Sequence, residues 1–573
     1  MEKQKGSTAI GNWLNMCSLN PKSFIVFLSV FCISQSLWAK TEYYFLVQFH
    51  DKQLNYKGQE GYKSQLTEKA IERRARYNIK YDSADLPVTE AYLANIKKQS
   101  IQVKYVSRWL NGAVITTQNM DTAWRLKIKF FVKDVVYLGK YDTKAGNSGS
   151  QSLGQVEEQN DGGEKNDYGK GLNQLEMING LTLHNQGYKG QGMTVAVFDA
   201  GFKKVNELSL FEHLYASKRV KYTYDLIDFE QNVYDDDDHG LHVLGCLAAQ
   251  KSGTMIGSAP QANYVLIRTE SATFENLIEE INWVRAAEIA DSLGVDVISS
   301  SLGYNHFDEK RLNHSHDELD GKTTFISIGA KMAALKGMLV VNSAGNDGNK
   351  SWGRLDFPAD VEEILVVGAV DSKKVVPAFS SPGPTADFRI KPDVCALGQS
   401  ATITTTFGVG TGNGTSYSCP IIAGMMTCLW QANNSLTPAE LISLIRLTGH
   451  ISLNPQNDLG YGVPDYDLAL AMAGKHSKFD YAKVQLINYD TAFVYGNKEV
   501  AFYTPNNEMM YCDVIVQKKI LFFKYQKTVS TAEAEPSFRH FGKIQIYTPA
   551  LKEGIVPIYH FYYFMNGNDR VEL

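Results

Sequence analysis

Cysteine is scarce in this chain: seven among 573 residues. Cys17 and Cys32 fall within the first forty residues. The other five, Cys246, Cys395, Cys419, Cys428 and Cys512, show neither metal-ligand spacing nor a dense disulfide framework, which leaves one bridge or buried free thiols. Positive charge is not in excess either. The net charge is −5 and the pI about 6.2, without the basic domain or stripe that tracks a nucleic-acid backbone. After residue 40 no apolar run is long enough to cross a bilayer, and no internal repeat stands out. The G-x-S-x-G elbow that an α/β-hydrolase esterase requires occurs nowhere. Nucleic-acid partners, a membrane-embedded body and that esterase chemistry are thereby excluded.

At the N-terminus, Lys22 precedes "SFIVFLSVFCISQSLWA", closed by the small residue Ala39. A basic flank, a short apolar core and a small residue at the cut make a secretory signal. The reading predicts a signal peptide over 1–39 and an exported protein, either secreted or retained in a periplasm or at a cell surface. An uncleaved anchor is the alternative.

Residues 40–142 open on the alternating "TEYYFLVQFHD", pass through a helical "LTEKAIERRARYN" and return to strands in "IQVKYVSRWLNGAVITT", a small α+β unit. Residues 143–171 are polar, rich in Gly, Ser, Asn and Gln, and read as a flexible linker. From 172 to 475 near-continuous apolar strands ("MTVAVF", "VDVIS", "GMLVVNSA", "EILVVGAV") alternate with amphipathic stretches. Strands of that kind are buried on both faces, so a doubly wound α/β domain is predicted. "FENLIEEINWVRAAEIADSLG" is its clearest helix, ending at Gly294, with Leu277, Ile278, Ile281, Val284 and Ile289 as a core stripe. Residues 476–573 hold short aromatic-rich strands and are expected to form a small all-β domain.

Functional groups in an open parallel sheet gather beyond the carboxyl ends of its strands. Three polar constellations fall there. In "VAVFDAGF", Asp199 ends an apolar strand. In "DDDDHGLHVLGCLAA", His239 opens a buried helix. In "GNGTSYSCPIIAG", Ser416 opens another, with Pro420 expected in the first turn, where proline is tolerated. Separately, each has a duller explanation as a turn, a cap or a solvated residue. Jointly, an acid, an imidazole and an alcohol at three strand or helix ends suit nucleophilic catalysis.

These blocks resemble the three signatures of subtilisin-like serine proteases, in the chain order Asp, His, Ser of that family. "IGSAPQANYVLIR", "VDVISSSLG", "VVNSAGNDG", "DFPADVEEILVVGAV", "FSSPGP", "KPDVCALG" and "GYGVPD" follow the family order over about 300 residues. The resemblance implies a three-layer αβα domain with a mostly parallel sheet. It implies that Ser416 attacks a peptide carbonyl, His239 takes its proton, Asp199 orients the imidazole, and Asn346 donates to the oxyanion. Ser301, Leu302 and Gly303 match the strand edge that pairs with extended substrate. The implied partners are polypeptides, met by a monomer that requires no cofactor. Structural calcium is compatible with the family, without an identifiable ligand set.

Two positions depart from the pattern. Ala200 replaces a hydroxyl residue after the aspartate, and Leu241 replaces a threonine in the histidine block, which leaves the hydrogen bonding around the pair in question. The acidic run Asp235–Asp238 has three readings: a solvated loop, a calcium site, or a flank of the cleft that favours a basic substrate residue and raises the imidazole pKa. The N-terminal unit stands where this family carries its propeptide, although a permanent accessory domain fits the same position. A rival from another class, an inactive fold kept as a binding or scaffold module, would show the loss of a triad residue or of Asn346; all four are present.

Overall fold

The computed structural model describes residues 41–52, 66–99, 101–142, 167–452 and 454–473, together with strand segments between 492 and 572. The expected signal peptide and most of the expected linker lie outside them.

The N-terminal unit is an antiparallel sheet of β1 (Thr41–Phe49), β2 (Gln102–Ser107), β3 (Gly112–Thr117) and β4 (Val132–Asp142), in the order β2-β3-β1-β4. Helices α1 (Glu68–Arg76) and α2 (Glu90–Lys97) accompany it. Thr67 caps α1 through its side-chain oxygen, and Glu68 follows at the positive helix end. Strand alternation gives the sheet two faces. Phe45 and Val47 of β1 pack with Tyr92 and Ile96 of α2, whereas Leu46 and Val114 face the larger domain.

That domain is built on seven strands: β5 (Thr194–Asp199), β6 (Val220–Asp225), β7 (Asn263–Arg268), β8 (Val297–Ser300), β9 (Leu339–Ser343), β10 (Leu365–Val370) and β11 (Val394–Leu397). Their order is β11-β10-β9-β8-β5-β7-β6, and every ladder is parallel. Val195 and Val197 of β5 join one core, under α3 (His239–Ala248) and the helix that carries Ser416. Ala196 and Phe198 join the other, under α4 (Ile278–Leu293) and α5 (Phe325–Leu335). The domain is thus three-layered, and the strands at the centre of the sheet are buried on both faces. Gly294 ends α4 in the left-handed conformation that the sequence marks.

The apolar stripe expected on α4 is buried, Ile289 only partly. Its polar face is buried as well: Glu279, Glu280, Glu288 and Asp291 are all inaccessible. The N-terminal unit covers part of that face. Ser107 Oγ donates to Glu288 Oε1 (2.6 Å), and Arg73 and Arg74 reach the two Asp291 oxygens at 2.5 and 2.6 Å.

Past residue 473 the described segments are strands only, paired antiparallel in a three-stranded and a four-stranded sheet. "KILFFKY", read as one strand, is split between two paired strands, Met510–Ile520 and Phe523–Ala534. "KVQLINYD" lies outside the described residues.

Candidate active site

Strand β5 lies at the topological switch point, with β7 on one side and β8 on the other. Asp199, its last residue, is fully buried. Helix α3 begins at His239 and approaches so closely that a Cβ on Gly240 would lie 2.2 Å from the Gly201 carbonyl and 3.0 Å from Asp199 Cβ. Only glycine fits there. The approach brings His239 Nδ1 to 2.8 Å from Asp199 Oδ1, which also accepts the Ala200 N–H at 2.9 Å. Asp199 Oδ2 has no partner among the described residues. The methyl of Ala200 offers none where the family pattern has a hydroxyl.

Burial raises the Asp199 carboxyl above its ordinary value, and the imidazole partly offsets this. For His239 burial acts downward, but the Asp199 carboxylate outweighs it and lifts the imidazole to about 9. The His239 side chain is 29% exposed, so solvent screens part of that attraction.

Ser416 is the second residue of α6 (Thr415–Ala432), where a backbone N–H has no intrahelical acceptor. Pro420 sits inside α6, one turn further in than the sequence suggested. Lacking an N–H, it cannot bond the carbonyl of Ser416 four residues back. Ser301 compensates, its Oγ donating to that carbonyl at 2.9 Å, while Ser416 Oγ lies 3.5 Å from the Ser301 carbonyl. The hydroxyl thus faces the Ser301 carbonyl just past β8, and it makes no hydrogen bond to the imidazole among the described residues. Catalytic hydrogen bonds are often long or misaligned before substrate arrives.

Asn346 is held from one end. Its Oδ1 accepts the Thr415 N–H (2.9 Å) and hydroxyl (3.1 Å), leaving the amide NH₂ for the cleft. Thr415, which holds Asn346 in place, was missed by the sequence reading, although it adjoins Ser416. His239, Ser416, Asn346 and the stretch Ser301, Leu302 and Gly303 line one cleft of about 540 Å³. Four acidic residues on its wall, Glu270, Glu275, Asp347 and Asp356, were also missed. Glu270 was reachable by rule, since it follows the carboxyl end of β7; nothing in the spacing marks the other three. Burial pushes Glu270 and Asp356 up to about 7 and Glu275 up to about 9, and like charges nearby add to the effect.

The acidic run does not line this cleft. Asp235 accepts from Asn232, Asp237 accepts the His239 N–H at 2.8 Å, and Asp238 faces buried His242 at 3.9 Å. Asp236 joins Asp225 and Asp228 in a trio spaced closely enough for a metal ion. Arg268 Nη1 reaches all three, at 2.7, 2.7 and 3.1 Å. A guanidinium already supplies the positive charge, so this trio does not fit a resident calcium. Leu241, the other departure, is a core residue whose carbonyl accepts from the Thr404 hydroxyl at 2.7 Å. Cys246, Cys395, Cys419 and Cys428 are buried free thiols. Cys17 and Cys32 lie outside the described residues, and the side chain of Cys512 is not described. No described helix is long and apolar enough to cross a membrane.

Comparison with known proteins fits this geometry. The subtilase family model matches residues 190–463, and the model of the peptidase S8 propeptide domain of Bacteroidota matches 44–152. Subtilisin of Bacillus pumilus is 30% identical over 275 residues, which are 47% of this chain and 87% of that protein. The chain belongs to the subtilase family. Other subtilases it resembles are serine protease AprX and subtilisin E, both of Bacillus subtilis (strain 168). Each is 30% identical over 47% of this chain, covering 62% and 63% of their own lengths, so the chain spans less than two thirds of these relatives. The N-terminal unit of this subtilase is a propeptide domain.

Proposed function

We propose that this subtilase is a serine endopeptidase, made as a zymogen and exported by an N-terminal signal peptide, which cleaves polypeptides as a monomer. Ser416 is the nucleophile, His239 its general base and then the acid for the leaving amine. Asp199 fixes the imidazole tautomer and stabilises the imidazolium. The Asn346 amide and the Ser416 N–H receive the oxyanion, and Ser301, Leu302 and Gly303 take extended substrate as an added strand. What carries this reading is the 2.8 Å contact between His239 and a fully buried Asp199, at the rim of the cleft that Ser416 and Asn346 also line.

Substrate must first turn the Ser416 hydroxyl from the Ser301 carbonyl to the imidazole, a rotation about one side-chain bond. The N-terminal propeptide domain, which packs on α4, keeps the enzyme silent during export until it is removed. The test is hydrolysis of a mixed peptide library by purified protein, beside Ser416→Ala. Cleavage by the wild type, with covalent labelling of Ser416 by an organophosphonate, is the expected result. An active Ser416→Ala protein would sink the assignment.

A further inference from the structure

One wall of the cleft carries more carboxyl groups than the proposed reaction uses. Glu270, Glu275, Asp347 and Asp356 line it, and the only lysine or arginine among its lining residues is Lys350. Lys350 is largely exposed and pairs with Asp347 at 2.7 Å. The other three carboxylates have no ion pair among the described residues; Glu270 accepts from the Tyr304 hydroxyl and Asp356 from Asn305.

Asp356 is the one set deepest, 6% exposed. Its position is fixed by two glycines of opposite walls. A Cβ on Gly303 would stand 2.6 Å from Asp356 Cβ, and one on Gly345 would stand 2.0 Å from Asp356 Oδ2. Asp356 therefore forms the floor between the strand end that bears Ser301 and the one that leads to Asn346. A side chain on the residue whose carbonyl meets Ser416 and Asn346 has to enter that gap. An apolar side chain there would leave the carboxylate desolvated and unpaired, which is costly, whereas a cation removes that cost. The upward shifts of the three carboxyls agree with sites that lack a cation.

We propose that the cleft selects a lysine or arginine immediately before the scissile bond, and that Asp356 is the carboxylate that receives it. The inference rests on the endopeptidase reading above. Glu270 and Glu275 lie along the approach without contacting the same atom, and a cation entering there would favour their ionised forms.

The test uses the matured full-length protein and fluorogenic peptides identical except for Arg, Lys, Leu or Glu at that residue. Wild type is expected to favour Arg and Lys over Leu by about 100-fold in kcat/KM, the scale of a desolvated charge pair. Asp356→Asn should reverse the ranking, with Arg and Lys falling and Leu rising. Should that variant fail to fold, inhibition of the wild type carries the same information: benzamidine should compete with substrate and uncharged benzamide should not. Cleavage of the Leu peptide in preference to Arg and Lys, or equal inhibition by both compounds, overturns the inference and leaves the endopeptidase intact. No cleavage of any peptide overturns both.

Discussion

Two groups of buried charge in this molecule are treated in opposite ways. Where the propeptide domain meets α4 and α5, Arg73, Arg74, Asp85, Asp291 and Lys336 form a closed set. Asp291 holds both arginines, Arg74 also reaches Asp85 at 2.7 Å, and Lys336 reaches Asp85 at 2.9 Å. Along the cleft, Glu270, Glu275 and Asp356 are also withdrawn from water, yet none of them forms an ion pair among the described residues. Helix α4 belongs to both regions, with Glu279 near the cleft and Asp291 at the seam. Buried charge paired within the chain fixes how two units sit together. Buried charge of one sign left over in a cleft is a demand for an outside partner.

The largest contrast should come from the nucleophile. Ser416→Ala is expected to lower kcat by about 10⁶-fold and leave the unfolding midpoint unchanged, checked by peptide hydrolysis beside thermal melting. Next comes Asn346→Ala, for which a loss of about 10²–10³-fold in kcat with little change in KM is expected. An equal change in KM would mean that the amide holds the ground state instead.

On the seam the readout moves from rate to stability. Asp291→Asn leaves Arg73 without its carboxylate and Arg74 with only Asp85. Denaturant unfolding of the full chain, in the Ser416→Ala background, should show a loss of about 3 kcal/mol. An unchanged midpoint would show that the closed set contributes no net stability.

The pH profile of kcat/KM tests the His239–Asp199 pair. A general base must be neutral, and the aspartate holds the proton on His239 above its usual 6.5. Activity should therefore rise with pH along a limb whose apparent pKa exceeds 6.5, and level off near or below 9. Asp199→Asn should move that limb to lower pH. The smallest effect is expected for Ser107→Ala, which removes one hydrogen bond to Glu288 and about 1.5 kcal/mol from the same unfolding measurement.

Much of the site was legible because it obeys local rules. Asp199 ends an apolar run, His239 and Ser416 stand at the starts of apolar helices, and strand ends in a parallel sheet converge. The unread parts are contacts between distant segments. No periodicity tells that Thr415 fixes one end of Asn346, 69 positions away, or that Ser301 satisfies the carbonyl Pro420 leaves free. The acidic run was left with three readings for the same reason: Arg268 meets Asp236 from another strand end, and Asp237 accepts the His239 N–H and helps to raise the imidazole pKa. The stripe of α4 was read correctly, but the burial of its charged face was not foreseen, since a pattern shows which side is polar and not what covers it.

The sequence by itself determined the alternation of strands and helices, the order of the three signature blocks and the glycine that lets His239 reach Asp199, because propensity, burial pattern and the space left by a missing Cβ are properties of short segments. Tertiary structure alone decided which carboxylates acquire a cation: Asp291 and Asp236 do, and Asp356 does not. Electrostatic energy depends on distance through space and on exclusion of water, and neither is written in the separation of residues along the chain.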